Sequence, residues 1–490
     1  MADAAASLAR PAERGRLSVS VWTLLVWGAA AVYAAILSFE SLADHYAFRT
    51  GFDAAIYDQY VWLLANGHEP FSTVLDRHML VEHFQPGLAL LTPLYWLGLG
   101  IPAVLIFQSV AVALTAPALY ALARSAGATT GLATVPAFLW LVSPAVAAAN
   151  LWDWRAATFA PALVVLSTLF ALRGRLVLLA ITALLALSLK EDVALTYVML
   201  GAVLAWHGRR RLGAAVAAGA AGWALVALTT IRSFGNSDDF LTRRFAGDRG
   251  DSVRDVLAYV VRNPVETLVD IVEHSGPDLL MLLFSTGGLA LLAPSWIVLA
   301  LPTAAHNALS AYETQHTLVH HYHLPVATAL FVAAALGVSR LDAPGRLARP
   351  AIVAVILAAS VIGLVEGAQR VGSADRMAAE DRSELERALE VIPPDAPVAA
   401  SPYLLPRLSH RVDVYSFPEP FVRIDWGGSL SEEELAKRAG RIRFVALTGD
   451  IKPVEYKDEI GPIVERLLED DFVVVESSPV ANLLILERRN

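Results

Sequence analysis

The sequence predicts a polytopic α-helical membrane protein of about eleven transmembrane helices with a C-terminal soluble α/β domain. Three observations carry that prediction. Charged residues make up 17% of the 490-residue chain and hydrophobic residues 56%, against roughly 25% charged in soluble domains, and the mean hydropathy is +0.52. Apolar runs close to the roughly 20 residues that cross a hydrocarbon core of about 30 Å recur along residues 19–369. After Val371 the composition turns to that of a soluble domain. The absence of cysteine excludes disulfides, cysteine metal sites and thiol catalysis. No Gly-x-Gly-x-x-Gly, Walker or nucleophile-elbow pattern and no internal repeat occurs, so nucleotide and hydrolase chemistry find no support and no nucleic-acid partner is expected.

Residues 1–18 read as a basic cytoplasmic tail. The apolar runs lie near 19–38, 102–123, 130–149, 157–172, 174–189, 193–207, 212–231, 278–293, 295–310, 324–339 and 350–368. The first follows Arg10, Arg14 and Arg16 and lacks a small-residue cleavage site, which makes it an uncleaved anchor. With the N-terminus cytoplasmic, Arg124, Arg173, Arg175, Arg209, Arg210, Arg211, Arg340 and Arg346 fall in inner turns, as the positive-inside rule requires. The transmembrane domain at 19–369 then has outer loops at 39–85 and 232–277, and the α/β domain at 370–490 is extracytoplasmic.

Phe52 to Phe84 gathers Asp53, Asp58, Asp76, Glu82, His78 and His83. Ionisable groups beside lipid are costly unless paired, solvated or used, which makes them functional candidates. Ala54 to Ala65 reads as a short surface helix with Asp53 at its start as an N-cap and Asn66-Gly67 as its stop. Pro86 and Pro93 interrupt the apolar stretch from Phe84 to Leu97, leaving a re-entrant helix or the entry to the second span. In Trp152-Asp153-Trp154-Arg155 the tryptophans read as interfacial anchors and Asp153 with Arg155 as a local ion pair, while the Arg155 guanidinium also offers a fork to phosphate oxygens.

Lys190-Glu191-Asp192 separates two apolar runs. It is either a solvated turn whose Asp192 caps the next helix or a second acidic site facing Asp53 across a cavity. Residues 252–274 carry valines and leucines at helical spacing, predicting an interfacial amphipathic helix, and residues 235–251 form either a gating loop or a linker. The segment Ala311 to His323 contains His316, His320, His321 and His323. Histidine clusters handle metals or protons, but no spacing here matches a zinc motif, which favours hydrogen bonding to a lipid phosphate. In the C-terminal part, a charged helix at 378–391 precedes strands near 397–400, 412–415, 444–447, 472–476 and 483–486, with helices at 431–439 and 454–469 between them.

The stretches FDAAIYDQYVWLLANG (52–67), EHFQPGLALLTPLYWL (82–97), LKEDVAL (189–195), HHYHLP (320–325) and LLPRLSHRVDVYSFP (404–418) resemble a bacterial membrane-protein family catalogued as domain of unknown function 2079. That family in turn looks like a branch of the GT-C glycosyltransferases, multi-span enzymes that use polyprenyl-phosphate-linked sugars at the outer face of the membrane. The resemblance implies a GT-C-like transmembrane domain in a bacterial plasma membrane. It also implies an acidic residue in the first outer loop as base or metal partner, at Asp53 or next Asp58, and a later acidic motif at Glu191 or Asp192. The first loop departs from the pattern in lacking a strict Asp-x-Asp or Glu-x-Asp pair.

The expected function is sugar transfer from a polyprenyl-phosphate donor to a glycan, lipid or protein acceptor. Asp53 is the general base, with Asp58, Glu191 and Asp192 in support. Arg155, Lys190, His320, His321, Tyr322 and His323 bind the phosphate, with His78 and His83 beside them, and Arg407, His410 and Arg411 serve the acceptor. The sequence commits to no cofactor; a divalent cation, magnesium or manganese, would fall to Asp53, Asp58, His83 and Glu191. The rivals are a transporter or flippase, which would place charges or broken helices at the bilayer midplane, and a non-catalytic envelope assembly protein, which would need none of these acids.

Overall fold

The computed structural model describes residues 20–233, 253–342, 348–371, 379–423, 431–448, 457–478 and 482–489. The expected tail at 1–18 and the expected gating loop at 235–251 lie outside the described residues.

Helix α1 (Val21–Tyr46) is capped by Ser20, whose hydroxyl accepts from Thr23 N. The first loop then folds as α2 (Phe52–Ala65), a two-stranded hairpin of β1 (Phe71–Ser72) and β2 (Arg77–His78), and the short helix α3 (Met79–Glu82). A 3-10 turn at Pro86–Leu91 leads into α4 (Thr92–Trp96) and then α5 (Gly100–Ser125). The prolines at 86 and 93 sit at the first positions of these pieces, where a missing N–H costs nothing. A bent pair, α6 (Thr130–Leu141) and α7 (Pro144–Leu151), follows, then α8 (Ala160–Arg173), α9 (Leu176–Leu187), α10 (Val193–Trp206) and α11 (Arg210–Ser233).

Next come α12 (Val253–Arg262) and α13 (Pro264–Ser285), the short α14 (Pro294–Ile297) and α15 (Leu301–Ala308), and α16 (Leu324–Gly337) and α17 (Ala348–Val371). Among the described residues, five helices are long and apolar enough to cross a membrane, or six if the bent pair counts as one span. Several of the eleven expected runs therefore form shorter apolar helices, such as α9 with 12 residues and α10 with 14. The runs at 278–293 and 295–310 are not single helices: Gly287 and Gly288 adopt left-handed backbone and Pro294 and Pro302 restart the chain, so it advances in short turns. The single amphipathic helix expected at 252–274 is two helices broken at Asn263-Pro264, and the second runs on to Ser285.

From 379 onward, α18 (Ala379–Leu389), β3 (Val398–Ala400), α19 (Leu405–Leu408), β4 (Val414–Ser416), α20 (Glu432–Arg441), β5 (Phe444–Thr448), α21 (Lys457–Asp470), β6 (Phe472–Ser478) and β7 (Leu483–Arg488) build a five-stranded sheet of order β4-β3-β5-β7-β6. The β4-β3-β5 pairs are parallel and the β5-β7-β6 pairs antiparallel. Alternation along the strands divides the residues between two cores. Val398, Ala400, Phe444, Ala446 and Ile485 join the cluster that continues through the helical bundle, while Ala399, Val445, Leu447 and Leu486 pack with Ile460, Ile463 and Leu467 of α21.

The sheet is fastened to the first loop by buried polar contacts. Gln59 Nε2 donates to the Arg411 and Val412 carbonyls at 3.1 and 3.2 Å, the Thr73 hydroxyl donates to the Val414 carbonyl at 2.6 Å, and Arg438 pairs with Asp76 at 2.6 Å.

Candidate active site

The loop that carries Asp53 meets three distant segments. The N-cap of α2 is Gly51, not Asp53, which occupies the first turn. The free amide of Ala54 is satisfied instead from across the fold by Asp153 Oδ2 at 3.1 Å, while Asp153 Oδ1 accepts from Trp154 N at 2.9 Å. Asp53 is thereby released from capping and its Oδ2 accepts from the Arg155 guanidinium. The ion pair expected inside the Trp152–Arg155 turn is thus replaced by a long-range one. Burial and the neighbouring Asp53 push the Asp153 carboxyl up to about 7, and burial works against the charge on Arg155 but is outweighed by Asp53, which raises its pKa. Of the two expected tryptophan anchors, Trp152 is half-exposed and lies edge-on to His320 at 4.2 Å, whereas Trp154 is fully buried against Tyr57 and anchors nothing to an interface.

Lys190-Glu191-Asp192 comes to the same place. His83 Nδ1 and Glu191 Oε1 are 2.9 Å apart and Phe84 N donates to Glu191 Oε2 at 3.0 Å. Burial would raise the Glu191 carboxyl, but His83 and Lys190 hold it well below the usual range. The approach of the two segments is closed by Gly87, whose N–H donates to the Ser188 carbonyl at 2.8 Å. A Cβ there would lie 2.5 Å from Ser188 Oγ. Lys190 is buried rather than solvated and pairs with Asp192 at 2.8 Å; Asp192, expected to cap α10, sits at the N-cap position but makes no side-chain cap bond.

The histidine segment completes the cluster. His321 is buried, its Nδ1 has no hydrogen-bond partner, and Arg155, Lys190, His83 and His320 lie within electrostatic reach of it. Burial and Arg155 lower the pKa of His320, whose Nδ1 lies 3.2 Å from the Thr317 hydroxyl. Tyr322 packs its ring on His321 at 4.2 Å and its carbonyl accepts from Asn307 at 2.9 Å, and His323 is buried. His78 accepts from Leu80 N at 3.2 Å, capping α3. One end of the bundle therefore presents a carboxylate, two cations and imidazole in a largely buried setting, suited to a phosphate and a proton acceptor.

Four expected site residues belong elsewhere. Asp58, 0% exposed, accepts from Tyr95 OH at 2.6 Å and from the Ser409 hydroxyl, and lies 3.0 Å from His410 Nε2. With both oxygens committed it fastens the C-terminal part to α2. Burial would lower the His410 imidazole, but Asp58 raises it. Arg411 donates to the Ala396 carbonyl at 2.9 Å, and its burial pushes it down to about 10. Arg407 lies over the Tyr46 and Phe48 rings at 5.2 and 4.9 Å. Asp58 and Arg411 are buried, Arg407 is half-buried and the His410 side chain is 49% exposed. The set considered for a divalent cation is likewise dispersed: Asp53 binds Arg155, Asp58 its three donors, and His83 pairs with Glu191. Among the described residues no three His, Asp or Glu gather as metal ligands.

Sequence reasoning missed Gln108 and the capping role of Asp153. The signal for Gln108 was an amide inside an otherwise apolar run, which must be satisfied by protein.

Residues 44–433 match the family model described as a predicted membrane protein, DUF2079. No curated protein matches the chain. Two solved structures of ArnT from Cupriavidus metallidurans are similar in fold. The one bound to undecaprenyl phosphate is 14% identical, covering 96% of this chain and 98% of that one at a TM-score of 0.53. The apo form is 14% identical, covering 95% and 97% at a TM-score of 0.54.

Proposed function

The chain belongs to the DUF2079 family of predicted membrane proteins, and from that premise we propose that it is a GT-C-type glycosyltransferase. It moves a sugar from a polyprenyl-phosphate donor to a glycan, lipid or protein acceptor on the outer face of a bacterial plasma membrane. The observation that carries the reading is the Asp53–Arg155 pair beside buried Lys190 and His321, whose Nδ1 has no hydrogen-bond partner. It is supported by the likeness in fold to ArnT, a GT-C glycosyltransferase that has been crystallised with undecaprenyl phosphate.

The acceptor hydroxyl attacks the anomeric carbon, forming the new C–O bond as the bond from that carbon to the phosphate oxygen breaks. The hydroxyl proton goes to the Asp53 carboxylate. The electron pair stays on the departing lipid phosphate, where Arg155, Lys190 and the His320 and His321 imidazoles stabilise it. A phosphate entering this cluster competes with Asp53 for Arg155, so donor binding itself frees the carboxylate to take a proton. Glu191 holds His83, and Asp192 holds Lys190, at the rim.

The test is transfer from radiolabelled polyprenyl-phosphate sugars by the purified full chain in proteoliposomes, with Asp53→Asn alongside. Loss of transfer in Asp53→Asn with undecaprenyl phosphate still bound supports the assignment. Unchanged transfer removes Asp53 as base, and no transfer by the wild type from any donor overturns the reading.

A further inference from the structure

Gln108 lies within the apolar helix α5, is 0% exposed, and spends its whole hydrogen-bonding capacity on one turn. Its Nε2 donates to the Asn150 and Asp153 carbonyls at 2.9 and 3.3 Å. Its Oε1 accepts from Arg155 N at 3.0 Å and from the Thr158 hydroxyl at 2.8 Å. One side chain thus holds the backbone before and at Arg155 and the Thr158 hydroxyl after it. Asn150 adds a second tie, donating to the hydroxyls of Ser41 on α1 and Ser109 on α5 at 3.3 and 3.1 Å.

From the clamped turn, Asp153 reaches back to Ala54 N, the residue after Asp53, and fixes the start of α2. The chain of contacts runs from Gln108 to the turn, from the turn through Asp153 to α2, and returns through the Asp53–Arg155 pair. It closes a ring in which neither Gln108 nor Asp153 is bonded to the Asp53 carboxylate itself. An amide at this depth is expensive unless every polar atom is satisfied, and here the satisfaction is directed entirely at the segment bearing the site's cation.

We propose that Gln108 and Asp153 are positioning residues that set the separation and orientation of Asp53 and Arg155, Gln108 by clamping the arginine's backbone and Asp153 by capping the aspartate's helix. This rests on the reading of Asp53 and Arg155 as the transfer site. Misplacement of reacting groups by about 1 Å costs on the order of 10²-fold in rate, which is the loss expected on removing either residue.

The experiment has two arms, both on the full chain in detergent. In the first, thermal midpoints of Asp53→Asn, Arg155→Gln and the double variant are compared in wild-type, Gln108→Leu and Asp153→Ala backgrounds. The two substitutions are expected to be non-additive in the wild type and additive in both backgrounds; non-additivity that persists undiminished overturns the proposal. Should Gln108→Leu not fold, Gln108→Glu retains an acceptor for Arg155 N and Thr158. It is expected to keep the coupling when protonated, and its loss there would contradict the clamp.

The second arm reads transfer together with the stoichiometry of undecaprenyl phosphate binding. Gln108→Leu and Asp153→Ala should lose about 10²-fold in kcat with stoichiometry unchanged, which separates misplacement from a partly unfolded population. A proportional loss of bound lipid and of rate would make the role merely structural and overturn the proposal. If the wild type transfers no sugar, the functional reading falls, and the first arm still decides whether the clamp positions the pair.

Discussion

Replacing Asp58 separates fastening from chemistry most sharply, because Asp53 stands on the same helix. Asp58 is fully buried with Tyr95, Ser409 and His410 as partners. A hydrogen bond to a charged acceptor contributes about 1.5–3 kcal/mol, so three such bonds give a ceiling near 9 kcal/mol. Bonds sharing one carboxylate are not additive, and breaking a buried charged pair costs about 3–5 kcal/mol, the expected loss for Asp58→Ala. Asp58→Asn keeps one acceptor and should lose about 2 kcal/mol. By contrast, Asp53 has a single partner and a side chain about a third exposed, so Asp53→Asn should cost at most about 1 kcal/mol in stability while abolishing transfer. Unfolding in denaturant, followed by a probe on the C-terminal sheet, measures both variants. Wild-type stability with lost transfer in Asp58→Asn would refute the assignment of Asp58 to fastening.

Further outcomes follow from the same contacts. Asp153 has its pKa raised to about 7 from 3.8, so its contribution to stability is present below pH 3.8 and lost as pH rises through about 7. Asp153→Asn should flatten the thermal midpoint across that window, and an unaltered slope would contradict the burial. His410 is raised from 6.5, so the Asp58–His410 contribution is full below pH 6.5 and fades as pH climbs through the elevated value; His410→Gln should abolish that fading. Gly87→Ala places a methyl 2.5 Å from Ser188 Oγ, and overpacking of this kind costs about 1–3 kcal/mol; a thermal midpoint equal to wild type would show that the two segments part freely. Arg155→Gln should weaken undecaprenyl phosphate binding by about tenfold or more, equivalent to roughly 1.5–3 kcal/mol for a charge-assisted bond, and calorimetry showing unchanged affinity would remove Arg155 from the phosphate site.

The charged turns at bilayer boundaries were legible because ionisable residues there need a reason to exist. Asp53, Arg155, Lys190, Glu191 and His321 were all visible in that way and do converge. Their pairings were not legible, since Asp53 could be assigned a local cap while the carboxylate that accepts from the free Ala54 amide, Asp153, arrives from another turn. The contacts of Asp58, Arg407 and His410 were not legible either, because they form only when the C-terminal part docks on α1 and α2, and docking leaves no periodic trace. The strands at 398–400 and 444–448 were readable as short apolar runs, buried almost throughout, while the broken turns at 286–310 followed glycine and proline positions that an apolar-run count ignores.

Density for the full chain reconstituted with undecaprenyl phosphate tests the central claim most directly. The phosphate should lie in hydrogen-bonding distance of the Arg155 guanidinium and His321 Nδ1, with the Asp53 carboxylate separated from Arg155. A phosphate seated away from this cluster, with Asp53 and Arg155 still paired, would contradict it.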